Sequence, residues 1–124
     1  MCPAAGQGAL AIEIRKDDSQ IRDHVAFLDD AAARATTTCE RALLNRMGGG
    51  CQVPIGALAE AVNGKLHLEA VVARPDGSRV LRESGKGENP SQVGEMVGEA
   101  LLRRGGGAIL QEVYKIMPVT PDQP

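Results

Sequence analysis

The apolar residues change their spacing twice along this chain, and the first change falls at a run of three glycines. Before it, Ala35, Cys39, Ala42, Leu43 and Met47 recur at helical intervals, with Glu40, Arg41 and Asn45 off that stripe, so the spacing predicts a helix over about 31–47. Gly48-Gly49-Gly50 ends it, because glycine enters left-handed backbone without steric cost. After the glycines the period drops to two. Val53 to Val62 reads as a strand, Asn63-Gly64 as a hairpin turn, and Lys65 to Arg74 as a second strand in which Leu66, Leu68, Ala70 and Val72 alternate. Pro75-Asp76-Gly77-Ser78 is a second turn, followed by a third strand from Arg79 to Ser84. The helical period returns at Asn89-Pro90-Ser91-Gln92, where Asn caps, Pro takes the first helical position and Gln stands three after the cap. Val93, Met96, Val97, Ala100 and Leu101 then line one apolar face, and a short helix with Ile109, Leu110 and Val113 follows Gly105-Gly106-Gly107. Helix, three-strand meander and helix predict an α+β fold: one antiparallel three-stranded sheet with helices on one face, over residues 31–117.

The first 30 residues read differently. Pro3 to Gly8 is a glycine-bearing turn, and Leu10, Ile12 and Ile14 alternate as in a strand over Ala9 to Arg15. Asp17, Asp18 and Ser19 offer caps for a helix with Ile21, Val25 and Leu28 on one side. A single strand makes no sheet. This βα segment is therefore expected to belong to a preceding domain, with its strand pairing between copies in a homo-oligomer or lying displaced. Residues 118–124, with three prolines, should be a loose tail.

Composition narrows the function classes. Aromatic residues are 2% of the chain and there is no Trp, so the base-stacking platforms of single-strand binders are missing and the core must be aliphatic. Net charge is −2 with no block of like charge, which argues against a nucleic-acid or membrane surface. No stretch is long and apolar enough to span a bilayer and no signal-peptide pattern opens the chain, so a cytoplasmic protein is the default expectation. Three cysteines without a C-x-x-C pair or a Cys/His cluster suggest neither a disulfide framework nor a metal site.

The chemistry concentrates at Gly48-Gly49-Gly50-Cys51-Gln52-Val53-Pro54-Ile55-Gly56. Cys51 is either a small buried hydrophobe at a helix–strand corner or an accessible thiol on a glycine loop, and spacing alone does not choose. The preceding helix presents its negative end to this loop, so the helix does not by itself acidify the thiol. Cys39 lies on the apolar stripe and reads as core; His24 and His67 read as surface or satisfied histidines.

Gly-Gly-Cys-Gln-Val-Pro-Ile-Gly at 49–56 resembles the cofactor-attachment loop of the hydroxymethylbilane synthases, or porphobilinogen deaminases. Pro3-Ala4-Ala5-Gly6-Gln7-Gly8-Ala9 resembles that family's P-A-x-G-Q-G-A segment, and Glu40 to Arg46 the helix before its loop. The resemblance extends over all but the extreme tail. It implies an enzyme that joins four porphobilinogens head to tail, releases ammonia at each step and frees a linear tetrapyrrole. It further implies that Cys51 carries a dipyrromethane cofactor through a thioether, formed when a soft pyrrole electrophile is captured by sulfur. Gly50 and its neighbours would let the tethered end shift. Arg41 would fork to pyrrole carboxylates, or else be a solvated helix arginine. Gln7 would hydrogen-bond the cofactor, or merely satisfy the turn between Gly6 and Gly8. The family's catalytic aspartate and most of its carboxylate-binding arginines fall outside this chain, so the chain by itself is expected to be inactive. A double-stranded-RNA-binding module has the same element order, but the start of the last long helix here holds no Lys or Arg. A thiol-redox protein is disfavoured by the absence of a resolving cysteine near Cys51.

Overall fold

The computed structural model describes residues 1–49 and 53–116. Gly50, Cys51, Gln52 and residues 117–124, which include the expected tail, lie outside the described residues. The elements are α1 (Ser19–Val25) with a short 3-10 turn at Ala26–Leu28, α2 (Ala31–Arg46), β1 (Ile55–Val62), β2 (Lys65–Ala73), β3 (Val80–Gly87), α3 (Pro90–Arg103) and α4 (Gly106–Ile116). The strands form one antiparallel sheet in the order β1-β2-β3, as the alternation predicts.

Local signals set the element ends. Asp18, Asp30 and Asn89 cap their helices through Ile21, Ala33 and Gln92 N–H groups, and Pro90 opens α3. Asn63 and Gly64 both take positive φ, 51° and 75°, the geometry that suits a two-residue hairpin to the strand twist. At the second turn, the Ser78 N–H and hydroxyl both donate to Asp76, which holds its carboxyl below the usual carboxylate range.

One face of the sheet carries Ile55, Ala57, Ala59, Leu66, Leu68, Ala70, Val72 and Leu81, all buried against Cys39, Leu43 and Met47 of α2 and Val93, Val97 and Leu101 of α3. Small side chains on β1 compensate for the missing aromatic bulk by letting helix and sheet approach. The same economy brings α2 and α3 together: a Cβ on Gly94 would fall 2.6 Å from Ala42 Cβ and against the backbone at Cys39 and Leu43. Ile109, Leu110 and Val113 of α4 are buried in turn.

Three expectations need correction. Residues 9–15 are in no strand, and Leu10 is 99% exposed, because no described strand lies beside them to complete a ladder. The third strand runs on to Gly87, since Gly85 and Gly87 pair with Leu68 and Leu66 while lying close under Val97 and Val93. Met96, placed on the apolar face by spacing, is about half exposed at the rim of α3.

Candidate functional site

The segment 50–52 joins two fixed ends. At the first, α2 closes in a Schellman motif: Gly48, at φ 68°, donates its N–H to Asn45 O at 3.1 Å, and Gly49 donates to Leu44 O at 3.0 Å. A Cβ on Gly49 would lie 2.9 Å from both Leu44 Cδ1 and Val53 Cγ2, so this residue has no room for a side chain. At the other end, Pro54 O accepts from Ala73 N at 3.2 Å, which ties the chain to the end of β2 before β1 begins. Cys51 and Gly50 themselves lie outside the described residues.

Arg41 sits exposed on α2, between the buried Glu40 and the stripe residue Ala42. It lines two open clefts, one with Thr38, Asn45 and Ser91, the other with Gly6, Leu28 and Thr37. No described carboxylate pairs with it, whereas Arg34, Arg46, Arg74 and Arg104 each have one. From Arg41 to the end of α2 at Met47 the helix rises about 9 Å. Gln7 is exposed, and its side-chain oxygen accepts from Ala4 N at 3.1 Å while its own N–H donates to Ala4 O at 3.0 Å. That oxygen therefore serves its own turn, and its side-chain nitrogen has no partner among the described residues.

The residue that spacing misplaced is Glu40. It was expected off the apolar stripe, but it is 7% exposed, and its two oxygens accept from Gly6 N at 2.7 Å and Ala59 N at 2.8 Å. The reason is the edge of the sheet. Among the described residues β1 has a neighbouring strand on one side alone, so the outward N–H groups of Ala57 and Ala59 need acceptors. Pro3 O takes the first at 2.8 Å and Glu40 the second. Cys2 lies over Gly56, where a Cβ would come within 2.7 Å of Cys2 O. The turn that carries Gln7 is thus held on β1 and α2 by hydrogen bonds between segments far apart in sequence. No single-residue signal points to Glu40. The clue would have been that two charged residues, Glu40 and Arg41, follow Cys39 directly, and one of them has to lie near the stripe.

The cysteines separate by environment. Cys39 is fully buried, and burial together with the Glu40 charge pushes its thiol up to about 11, so it stays protonated and inert near neutrality. Cys2 is partly exposed.

Fold and site together define an α+β domain whose N-terminal turn docks on its sheet edge and in which a glycine–cysteine segment joins α2 to β1. Residues 34–103 match the family "Porphobilinogen deaminase, C-terminal domain", and the chain belongs to that family. A porphobilinogen deaminase from Desulforudis audaxviator (strain MP104C) is 48% identical over 116 residues, which is 91% of this chain and 38% of that relative's length. Among the described residues, no helix is long and apolar enough to cross a membrane.

Proposed function

We propose that this chain is the cofactor-bearing C-terminal portion of a hydroxymethylbilane synthase, acting in tetrapyrrole biosynthesis in the cytoplasm. The observation that carries the reading is the family match across residues 34–103, joined to the Gly49–Gly56 segment that resembles the family's attachment loop. Cys51 is the attachment sulfur for a dipyrromethane, which when bound supplies a tethered pyrrole end to which further units are added.

The described residues suit such a group in their donor chemistry. Its acetate and propionate arms call for guanidinium forks, and Arg41 is an exposed guanidinium without a described carboxylate partner. The side-chain nitrogen of Gln7, without a partner among the described residues, is a further donor for those carboxylates. Porphobilinogen and its oligomers are the partners of the whole enzyme; nucleic acid and membrane are not. Catalysis by positioned charges needs groups outside this chain, so the chain alone turns over no porphobilinogen.

Intact-mass measurement of the purified chain and of Cys51→Ser is the test, with iodoacetamide peptide mapping and a pyrrole-product assay beside it. Cys51 is expected to carry a pyrrole adduct or to be freely alkylated, while Cys39 reacts far more slowly. A Cys51 that is both unmodified and unreactive, or robust tetrapyrrole formation by this chain, would sink the reading.

A further inference from the structure

Both edges of the sheet are covered, and only the cover on β1 belongs to the site already described. At β3, the opposite edge, no strand among the described residues lies alongside, and two charged side chains occupy the backbone there. Arg104, which closes α3, donates to Arg82 O, and its guanidinium pairs with one oxygen of Glu83 at 3.2 Å. The other oxygen of Glu83 accepts from Ser84 N at 3.2 Å. An antiparallel ladder turns the N–H and C=O of every second residue outward, so Arg82, Ser84 and Lys86 form the free edge. The acceptor at Arg82 and the donor at Ser84 are therefore already taken.

Glu83 stands where an apolar residue would be ordinary. It pairs with Ala70 and follows Leu81 by two positions, so it falls on the helix-covered face, where both of those are buried. A charge directed toward that layer is one of the ways an edge is kept from accepting another strand. Arg104 is itself anchored, since its carbonyl accepts from Arg79 at 3.2 Å and its N–H donates to Ala100 O at 3.2 Å. The rest of the edge is receptive. Gly85 and Gly87 leave the strand bare, and the half-exposed Met96 puts its Cε 2.8 Å from where a Cβ on Gly85 would be. A strand to fill it exists in the same sequence: Leu10, Ile12 and Ile14 alternate over residues 9–15, which are in no strand, and Leu10 is 99% exposed. The turn before that segment is docked on β1, at the far side of the sheet, so a strand added at β3 comes from another copy.

We propose that Arg104 and Glu83 guard the β3 edge and keep residues 9–15 of a second copy from adding there as a further strand. To dock against the guard, the incoming strand has to displace Arg104 from Arg82 O and lay Leu10 or Ile12 against the Glu83 carboxylate. With the guard removed, main-chain bonds at Arg82, Ser84 and Lys86 become available and the apolar side chains settle on Met96. Donor and acceptor are different surfaces, so addition runs head to tail without a closed end point.

The experiment compares the full chain, a variant with Arg104→Ala and Glu83→Ala, and that variant with Ile12→Pro added, which removes a ladder N–H at the centre of the incoming strand. Light scattering over a range of concentrations reads the mass, and amide exchange reads the edge. The parent is expected to keep one mass throughout. The double variant should grow with concentration to about two copies or more, because head-to-tail addition does not close. Its exchange should slow at Ser84 and Lys86 and hold at Leu68 and Val72, and Ile12→Pro should restore the parent mass. Should the double variant lose protection at Leu68 and Val72, Arg104→Ala alone carries the test, since it frees Arg82 O and leaves β3 unchanged. A folded variant that stays at the parent mass overturns the guard, and so does a parent whose mass grows until Ile12→Pro is introduced. Growth that Ile12→Pro does not reverse overturns residues 9–15 as the incoming strand.

Discussion

Residues 31–116 and residues 9–28 carry similar amphipathic patterns and end in opposite states. In the first region, Leu43, Leu68, Val97 and Leu101 are sealed away from solvent. In the second, Leu10, Ile12, Ile21, Phe27 and Leu28 are exposed, and α1 buries nothing. Periodicity is the same kind of signal in both, and each has a capping aspartate, Asp30 or Asp18. What differs is whether a second apolar face lies within reach. A pattern tells which side of an element is prepared for burial, and a partner decides whether burial happens.

The largest test of that contrast is a pair of truncations. Leu68→Ala, at the centre of the sheet, should cost about 2–5 kcal/mol in urea unfolding. Phe27→Ala, 81% exposed, should stay within about 0.5 kcal/mol. Equal losses would mean that α1 has a partner in solution. Light scattering over a range of concentrations would then show whether that partner is a second copy.

Next in size is the close crossing of α2 and α3. Gly94→Ala inserts a methyl against α2 backbone and should destabilise by about 1–3 kcal/mol or more. Gly98→Ala meets Arg46 Cβ and Cγ at 3.1–3.2 Å, a looser contact than at Gly94, and should cost clearly less. If the order of the two is reversed, the helices cross elsewhere.

A pH scan sharpens the same comparison through chemistry. The Cys39 thiol is raised from 9.0 to about 11 by burial and by Glu40. The unfolded thiol ionises first as pH climbs, so the stability this thiol contributes is complete below pH 9.0 and is lost as pH rises toward 11. The loss should be on the order of 2 kcal/mol. Cys39→Ala should flatten that part of the stability profile, and a profile that keeps its slope would show the thiol is not the source.

The smallest effect is expected where the N-terminal turn meets the first region. Glu40→Gln retains one acceptor where two amides need one each, so it should cost about 1–2 kcal/mol. Exchange of the Gly6, Ala57 and Ala59 amides should accelerate while Leu68 and Val72 keep their protection. Uniform acceleration would make Glu40 a general core residue instead of a fastener for the N-terminal turn.

Much of the architecture was legible because each boundary had a local cause. The Asn63-Gly64 turn, the Asn89-Pro90 helix start and the stop at Gly48 follow from backbone preferences of the residues themselves. The candidate site was legible differently. Cys51, Gly50, Arg41 and Gln7 came forward from motif resemblance, and Arg41 was left between two readings by its spacing. The hydrogen bonds of the Glu40 carboxylate, and the one from the Tyr114 hydroxyl to Gly48 O, were not legible at all. Each joins a side chain to backbone far away in sequence, and nothing local marks a side chain for such a partner.

By itself, the sequence determined the element order after residue 30 and the place of its turns, because turns, caps and alternation are set within a few residues, and its longer motifs pointed to the family. The tertiary structure alone decided that Glu40 is buried, that Ala9 to Arg15 forms no strand, and that the last helix reaches back to the end of α2. Each of those depends on an unpaired backbone group or apolar face finding, or failing to find, a partner that only the folded chain brings near.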